Sequence, residues 1–118
     1  YIYMKIYGIK NCTTVKNALA WLDAHQVAYE FHDFKKLGID GHQLQTWIDK
    51  MSLDKIMNQR SATWKTIPTD IQQAALNDHA AAIKLMQDKT SIIKRPLLEV
   101  GNDIVLGFDE KKYAEIFV

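Results

Sequence analysis

The sequence is poor in cysteine. It holds a single one, Cys12, among 118 residues, which excludes an internal disulfide framework and a zinc site built from four thiolates. The four histidines show neither pairing nor metal-ligand spacing, so we expect no metal and no bound prosthetic group. They are His25, His32, His42 and His79.

Excess charge and long apolar runs are also missing. The formal net charge is +1, which argues against a domain that binds nucleic acid through bulk positive charge. The chain opens on no signal-like segment and contains no apolar stretch of membrane-spanning length. We therefore expect a cytoplasmic protein with neither direct nucleic-acid contact nor membrane contact.

Its length and ordinary composition (47% apolar, 25% charged) predict a single domain over residues 1–118.

The first third of the chain alternates between strand and helix patterns. Residues 2–7 predict a buried strand that Gly8 breaks. From Thr13 the apolar residues recur at helical spacing until about His25, and residues 27–34 then alternate at period two. The order strand–helix–strand favours a parallel pair joined by a right-handed crossover.

The middle of the chain is typical of helices. One helix is predicted to begin at Asp40 or Gly41, and residues 70–76 and 78–88 carry two more. Thr69, directly after a proline, is a plausible N-cap for the helix over residues 70–76.

The chain returns to strands near its end. Residues 97–100 and 103–107 flank a glycine-containing turn and predict a β-hairpin. Asp109 is placed to cap a last helix. These patterns predict an α/β protein in which residues from about 40 to 90 form a helical insert within one domain.

The position of Cys12 gives it a functional interpretation. It follows the first strand at the mouth of a predicted helix, where free N–H groups and the helix dipole favour a thiolate. Its neighbours Asn11, Thr13 and Thr14 are polar, as expected of an exposed corner, and Lys10 lies close in sequence. The alternative is that Cys12 is a small buried apolar residue, the commonest role of a lone cysteine.

Arginine is scarce as well. Only two of the fifteen lysines and arginines are arginine, the side chain whose planar fork best binds carboxylates and oxyanions. Arg60 lies in a polar stretch that also holds Trp64, and Arg95 precedes Pro96 at the start of the predicted hairpin. The alternative is that both arginines are ordinary surface residues.

Four segments, in order along nearly the whole chain, carry a family resemblance. They are Tyr7-Gly8-Ile9-Lys10-Asn11-Cys12 with Val15-Lys16, Asn58-x-Arg60-Ser61-x-x-Trp64-Lys65, Lys94-Arg95-Pro96-Leu97-Leu98 and Gly107-Phe108-Asp109. Together they resemble the arsenate reductase family of the glutaredoxin-like thioredoxin fold. The similarity is greatest to its small bacterial branch, described as YffB-like and related to the Spx regulators.

The resemblance implies a thioredoxin-like mixed sheet of the glutaredoxin type, with the helical insert between strand–helix–strand and hairpin–helix. It also implies a nucleophilic Cys12 that Arg60 and Arg95 face. In the thioredoxin-like arrangement a cis proline faces the thiol, and the sequence leaves the isomer of Pro96 open. Two features depart from the family. No arginine follows Arg95, where arsenate reductases use a third, and Val15 stands where Spx regulators commonly carry a second cysteine.

The leading interpretation is a glutathione-dependent thiol oxidoreductase. Cys12 would attack a mixed disulfide or a small oxyanion, and glutathione as co-substrate, or a partner protein such as glutaredoxin, would supply the second thiol. Catalysis is assigned to Cys12, Arg60 and Arg95. Substrate or glutathione binding is assigned to Lys10, Asn11, Thr13, Thr14, Trp64 and Pro96.

Two alternatives stay open at this point. The first is an arsenate reductase that works with a reduced set of arginines. In this alternative Cys12 attacks arsenic, glutathione forms the adduct, and glutaredoxin releases it. The second is a non-catalytic, Spx-like regulator that binds the alpha subunit of RNA polymerase.

Overall fold

The computed structural model describes residues 3–118, which divide into two compact units. The first unit joins the chain up to Phe34 with Arg95–Val118, and the second is Lys35–Lys94. The predicted first strand included Ile2, which lies outside the described residues. A single domain with an insert from about 40 to 90 stays a prediction.

The helices and strands are numbered in chain order. They are β1 (Met4–Gly8), α1 (Thr13–Ala24), β2 (Glu30–Asp33), α2 (Phe34–Leu37), α3 (Gly41–Met51), α4 (Leu53–Ile56), α5 (Ala62–Lys65), α6 (Thr69–Asn77), α7 (His79–Asp88), a 3-10 turn (Thr90–Ile92), β3 (Leu97–Val100), β4 (Asp103–Leu106) and α8 (Glu110–Phe117).

The first unit is built on a four-stranded mixed sheet in the order β2-β1-β3-β4. β1 pairs in parallel with β2 and antiparallel with β3, and β3 and β4 form the predicted antiparallel hairpin. Alternate residues of the strands pack with α1 and α8 in one apolar cluster. Its buried members are Met4, Ile6, Ala18, Trp21, Leu22, Leu98, Val100, Val105 and Tyr113.

Helix α1 and the end of the chain match their sequence patterns. α1 begins at Thr13, as predicted, and Asp109 caps α8 by accepting hydrogen bonds from the N–H groups of Lys111 at 3.0 Å and Lys112 at 3.4 Å. Two strand boundaries were predicted wrongly. Gly8 was predicted to follow the first strand, but it is the last residue of β1. Strand β2 is half as long as predicted.

The second unit consists of helices and the loops that join them. The helices predicted near residue 41 and on both sides of Asp78 are present, and the Asp78 side chain caps α7 by accepting from the N–H of Ala80. Thr69 was predicted wrongly as an N-cap. Pro68 occupies that position and Thr69 is the first residue of α6, because proline is well suited to the extended backbone that precedes a helix.

Backbone hydrogen bonds fasten residues 56–58, in the middle of this unit, to residues 92–94 at its end. The N–H of Asn58 donates to the carbonyl of Ile92 at 2.7 Å, and the N–H of Lys94 donates to the carbonyl of Ile56 at 2.8 Å. An isolated antiparallel bridge joins Met57 and Ile93 between them. None of the helices within residues 3–118 is long and apolar enough to cross a lipid bilayer.

Candidate active site at Cys12

Cys12 is the residue that connects β1 to α1. A tight turn follows Gly8 and closes where the N–H of Cys12 donates to the carbonyl of Ile9 at 3.2 Å. Cys12 is then the N-cap of α1 in an extended conformation, and its carbonyl accepts from the N–H of Lys16 at 2.9 Å. The residue is partly exposed. The thiol therefore lies at an accessible helix start and not in the apolar core, as the polar flanks predicted.

The surroundings of Cys12 favour the thiolate. Partial burial opposes ionisation, but the N–H of Val15, a hydrogen bond and the positive charge of Arg95, and the N–H of Thr14 outweigh it, so the pKa of Cys12 lies below its ordinary value. Val15 and Thr14 belong to the first turn of α1, so the helix start itself contributes to the low pKa of the thiol.

Arg95 is positioned by the hairpin and by α8. The Arg95–Pro96 peptide bond is cis, as the thioredoxin-like fold implied. Pro96 is buried, and its carbonyl accepts from the N–H of Gly107 at 2.8 Å. The hydroxyl of Tyr113 in turn donates to the carbonyl of Gly107 at 2.7 Å. Two hydrogen bonds thus connect α8, through Gly107, to Pro96, the residue that follows Arg95.

The residues on either side of Cys12 are solvent-exposed. Lys10 and Asn11 lie in the turn before it, and Thr13 and Thr14 form the first turn of α1. The backbone of Thr14 contributes to the low pKa of the thiol. These four residues border the thiol in sequence with their side chains in solvent, as a substrate-binding rim requires, and their binding roles stay predictions.

Arg60 and Trp64 belong to the second unit. Arg60 is exposed, and its backbone N–H donates to Oδ1 of Asn58 at 3.0 Å. Ser61 caps α5 by accepting from the N–H of Trp64 at 3.1 Å, and the Trp64 side chain is only 6% exposed. The assignment of both residues to the site of Cys12 stays a prediction.

Two contributors do not follow from the sequence pattern. The pattern assigns Thr13 and Thr14 to binding, whereas the N–H groups that lower the pKa of the thiol are those of Val15 and Thr14. The pattern also predicts Gly8 only as a break after the first strand. A β-carbon at Gly8 would lie 2.8 Å from Cγ2 and 3.1 Å from Cγ1 of Val15, so β1 and α1 meet more closely there than a side chain would allow. The position of a glycine directly before the cysteine turn was the only available signal.

The described residues contain no candidate metal site. Within residues 3–118, no group of three or more His, Cys, Asp or Glu side chains is arranged to hold a metal ion.

Comparison with known proteins decides the family. The model of the ArsC family matches residues 7–116. The chain belongs to the ArsC family. The predicted resemblance and the predicted thioredoxin-like α/β fold are thereby confirmed, and the matched range contains every residue assigned to the site.

Solved structures of similar proteins share this ArsC fold. A protein named YFFB is 39% identical, with a TM-score of 0.90 over 98% of this chain and 99% of its own. An arsenate reductase (ArsC) related protein from Brucella melitensis is 36% identical, with a TM-score of 0.75 over 98% of this chain and 94% of its own. A more distant relative, the global transcriptional regulator Spx 1 of Lactococcus lactis, is 22% identical over 89% of this chain and 81% of its own.

Proposed function

We propose that this ArsC-family protein is a thiol oxidoreductase in which Cys12 is the nucleophile and glutathione supplies the second thiol. The hydrogen bond and charge that Arg95 provides to the Cys12 sulfur carry the proposal. An arginine beside a partly exposed cysteine at a helix start stabilises the thiolate, which is the reactive form. A purely structural cysteine has no need of such a partner.

The proposed reaction begins with a mixed disulfide between glutathione and a substrate thiol. The Cys12 thiolate attacks the glutathione sulfur, a Cys12–glutathione disulfide forms, and the substrate leaves as a thiolate that takes a proton from water. A second glutathione thiolate then attacks the glutathione sulfur of that adduct. Oxidised glutathione leaves and the Cys12 thiolate is regenerated. In the net reaction the mixed disulfide and one free glutathione give the free substrate thiol and oxidised glutathione, so one disulfide bond is exchanged for another.

Arg95 assists both steps. It raises the fraction of Cys12 present as thiolate for the first attack, and it stabilises the same thiolate when Cys12 is the leaving group of the second. Its guanidinium can also hold a carboxylate of glutathione in the bidentate geometry that lysine does not offer. We assign Arg60 to anionic substrate binding on the strength of its side-chain chemistry and its place in the family motif.

Mixed disulfides suit this chain better than arsenate. No arginine follows Arg95 in the sequence, so an oxyanion would be held by two arginines where arsenate reductases of the family use three. The loss of one charge-assisted contact costs roughly 1.5–3 kcal/mol. We therefore propose arsenate as a poor substrate.

Turnover of a defined mixed disulfide tests the proposal. A peptide carrying one glutathione on its cysteine is incubated with the protein and excess glutathione, and release of the free peptide is followed by mass spectrometry. We expect catalytic release, a transient adduct of one glutathione on Cys12, and no activity in Cys12→Ser. Release no faster than with glutathione alone would refute the proposal, whether or not the adduct forms.

A regulatory role is the second candidate. The relative named as a global transcriptional regulator favours it, and Val15 in place of a second cysteine argues only against a disulfide switch within the chain. A pull-down with the alpha subunit of RNA polymerase tests this role. Retention that survives in Cys12→Ser would support a regulator, and no retention at micromolar concentrations would exclude it.

A further inference from the structure

A close contact between β1 and α1 lies next to the thiol in the chain. Gly8 is the last residue of β1. The space where its β-carbon would lie is bordered by the two γ-carbons of Val15, at 2.8 and 3.1 Å, and by the β-carbon of Val15 at 3.6 Å. Val15 is fully buried in the first turn of α1. The chain between the two residues is the turn closed by Ile9 and Cys12. Gly8 and Val15 therefore fix the two ends of the segment that presents the sulfur.

From this contact we infer that Gly8 is a positioning residue for the Cys12 thiol. The absence of a side chain at Gly8 lets Val15 pack directly on the end of β1, and this packing sets where the first turn of α1 lies relative to the sulfur. The inference rests on the proposed role of Cys12 as a nucleophile. It concerns how the fold holds the reactive group.

A methyl group at residue 8 has no easy way to fit. Valine is β-branched and has one strongly preferred rotamer in a helix, and both of its γ-carbons already border the space beside Gly8. Rotation of the Val15 side chain would still leave one of its γ-carbons facing the space beside Gly8. To restore a carbon–carbon distance of about 3.5–4.0 Å, the first turn of α1 must retreat from β1 by about 1 Å.

Such a retreat acts on the thiol through the backbone. The N–H of Val15 belongs to the turn that must move, and it is among the groups that favour the Cys12 thiolate. Arg95, in contrast, approaches from the start of β3 and is not attached to α1. Movement of α1 alone therefore changes the geometry between the sulfur and its donors, in addition to any change in the stability of the fold.

A double-mutant comparison separates positioning from packing. The variants are Gly8→Ala, Val15→Ala and Gly8→Ala/Val15→Ala, because Val15→Ala removes the γ-carbons that collide and retains the backbone N–H. Gly41→Ala is the matched control. A β-carbon at residue 41 would lie 3.4 Å from Ile83 and 3.5 Å from Gln87, which are ordinary contact distances. For each variant the rate of Cys12 alkylation is measured across the pH range, and thermal unfolding is recorded beside it.

We expect Gly8→Ala to move the midpoint of the alkylation profile to higher pH and to slow alkylation at about pH 6 by roughly three- to tenfold. Gly41→Ala should retain the wild-type midpoint. The double variant should have the same midpoint as Val15→Ala, because a methyl group at residue 8 fits once the γ-carbons of Val15 are absent. A midpoint unchanged in a folded Gly8→Ala, with only its melting temperature lowered, would overturn the inference. If Gly8→Ala does not fold, the double variant decides, because a midpoint displaced from that of Val15→Ala would overturn it as well.

The outcome is distinguishable from failure of the proposed function. Wild-type turnover of a mixed disulfide decides whether Cys12 is catalytic, while the comparison among variants decides whether Gly8 positions it. A catalytically active wild type with identical profiles in all variants would leave the oxidoreductase proposal intact and refute the role of Gly8.

Discussion

Arg95, just before β3, acts on the thiol of Cys12 at the start of α1. Its hydrogen bond and positive charge help hold the pKa of that thiol below its ordinary value, against the opposing effect of partial burial. The two residues lie near opposite ends of the chain and meet because β1 and β3 are neighbours in the sheet. β1 leads into the turn that holds Cys12, and Arg95-Pro96 leads into β3. The pairing of these two central strands therefore brings a cation to the only thiol of the protein.

Removal of the Arg95 guanidinium should make the thiol less acidic. In Arg95→Ala the burial of Cys12 still opposes ionisation, while one favourable charge and one hydrogen bond are lost, so the pKa of Cys12 should rise. Alkylation at about pH 6 should slow by roughly tenfold, and Arg95→Lys should recover part of the rate because it restores the charge alone. An unchanged pH profile in Arg95→Ala would contradict this role.

Arg60 offers a matched comparison. We expect Arg60→Ala to leave the pH profile of alkylation unchanged and to raise the KM for an anionic mixed disulfide, because its assigned role is to bind substrate. The measurement is steady-state turnover beside alkylation. If neither Arg60→Ala nor Arg95→Ala affected thiol reactivity or substrate binding, the assignment of both arginines to one site would be wrong.

The thiol should couple protein stability to pH. The fold favours the deprotonated form of Cys12, so between the folded pKa and the unfolded value of about 8.5 the unfolded chain binds more protons. The stabilisation is complete above that unfolded value and is lost as the pH falls through the folded pKa. Under reducing conditions, the free energy of unfolding of the wild type relative to Cys12→Ser should therefore increase with pH.

Arg95 provides the control for this coupling. The same comparison made in an Arg95→Ala background should show a weaker dependence on pH. A difference between wild type and Cys12→Ser that is constant with pH, or that shrinks as the pH rises, would contradict the account.

The hydroxyl of Tyr113 should contribute to stability. Its side chain is fully buried and donates to the carbonyl of Gly107 at 2.7 Å, and burial raises its pKa, so it remains a donor. Tyr113→Phe leaves that carbonyl without this donor and should cost about 1–2 kcal/mol in urea unfolding. Tyr29→Phe is the control, because its bond to Asp23 lies at the surface and should be worth less than about 0.5 kcal/mol. Equal losses in the two variants would refute the distinction.

Arsenate reduction should be weak or undetectable. With glutathione and glutaredoxin supplied, a coupled assay should give a rate close to that of Cys12→Ser, because the sequence contains only two arginines that could hold the oxyanion. The same preparation should turn over a mixed disulfide, which shows that the thiol is active. Efficient arsenate reduction would show that the third arginine is dispensable in this chain.

Much of the site could be predicted because its signals are local in sequence. The end of β1, the start of α1 and the capping aspartate of α8 each depend on a few adjacent residues. The extent of β2 does not. Residues 27–34 alternate throughout, but β1 offers partners only to Glu30–Asp33, from Lys5↔Glu30 to Gly8↔Asp33. The length of a strand is set by its neighbour as well as by its own pattern.

Other features lay beyond the sequence for different reasons. Helices α4 and α5 span four residues each, too few for a helical period to be visible. The importance of Gly8 depends on how near Val15 comes to it, a distance set by the packing of α1 on the sheet. The selection of Val15 and Thr14 as donors depends likewise on the exact orientation of the first turn.

The most direct test of the account is the pH dependence of Cys12 modification in the wild-type protein. Intact-mass kinetics with a small alkylating agent and with oxidised glutathione, from about pH 4 to about pH 10, report the pKa of the thiol and its ability to form a glutathione adduct. We predict a midpoint clearly below the value of about 8.5 for free cysteine, and a single glutathione adduct. A midpoint at or above that value, with slow adduct formation, would contradict the proposal that Cys12 is a nucleophile.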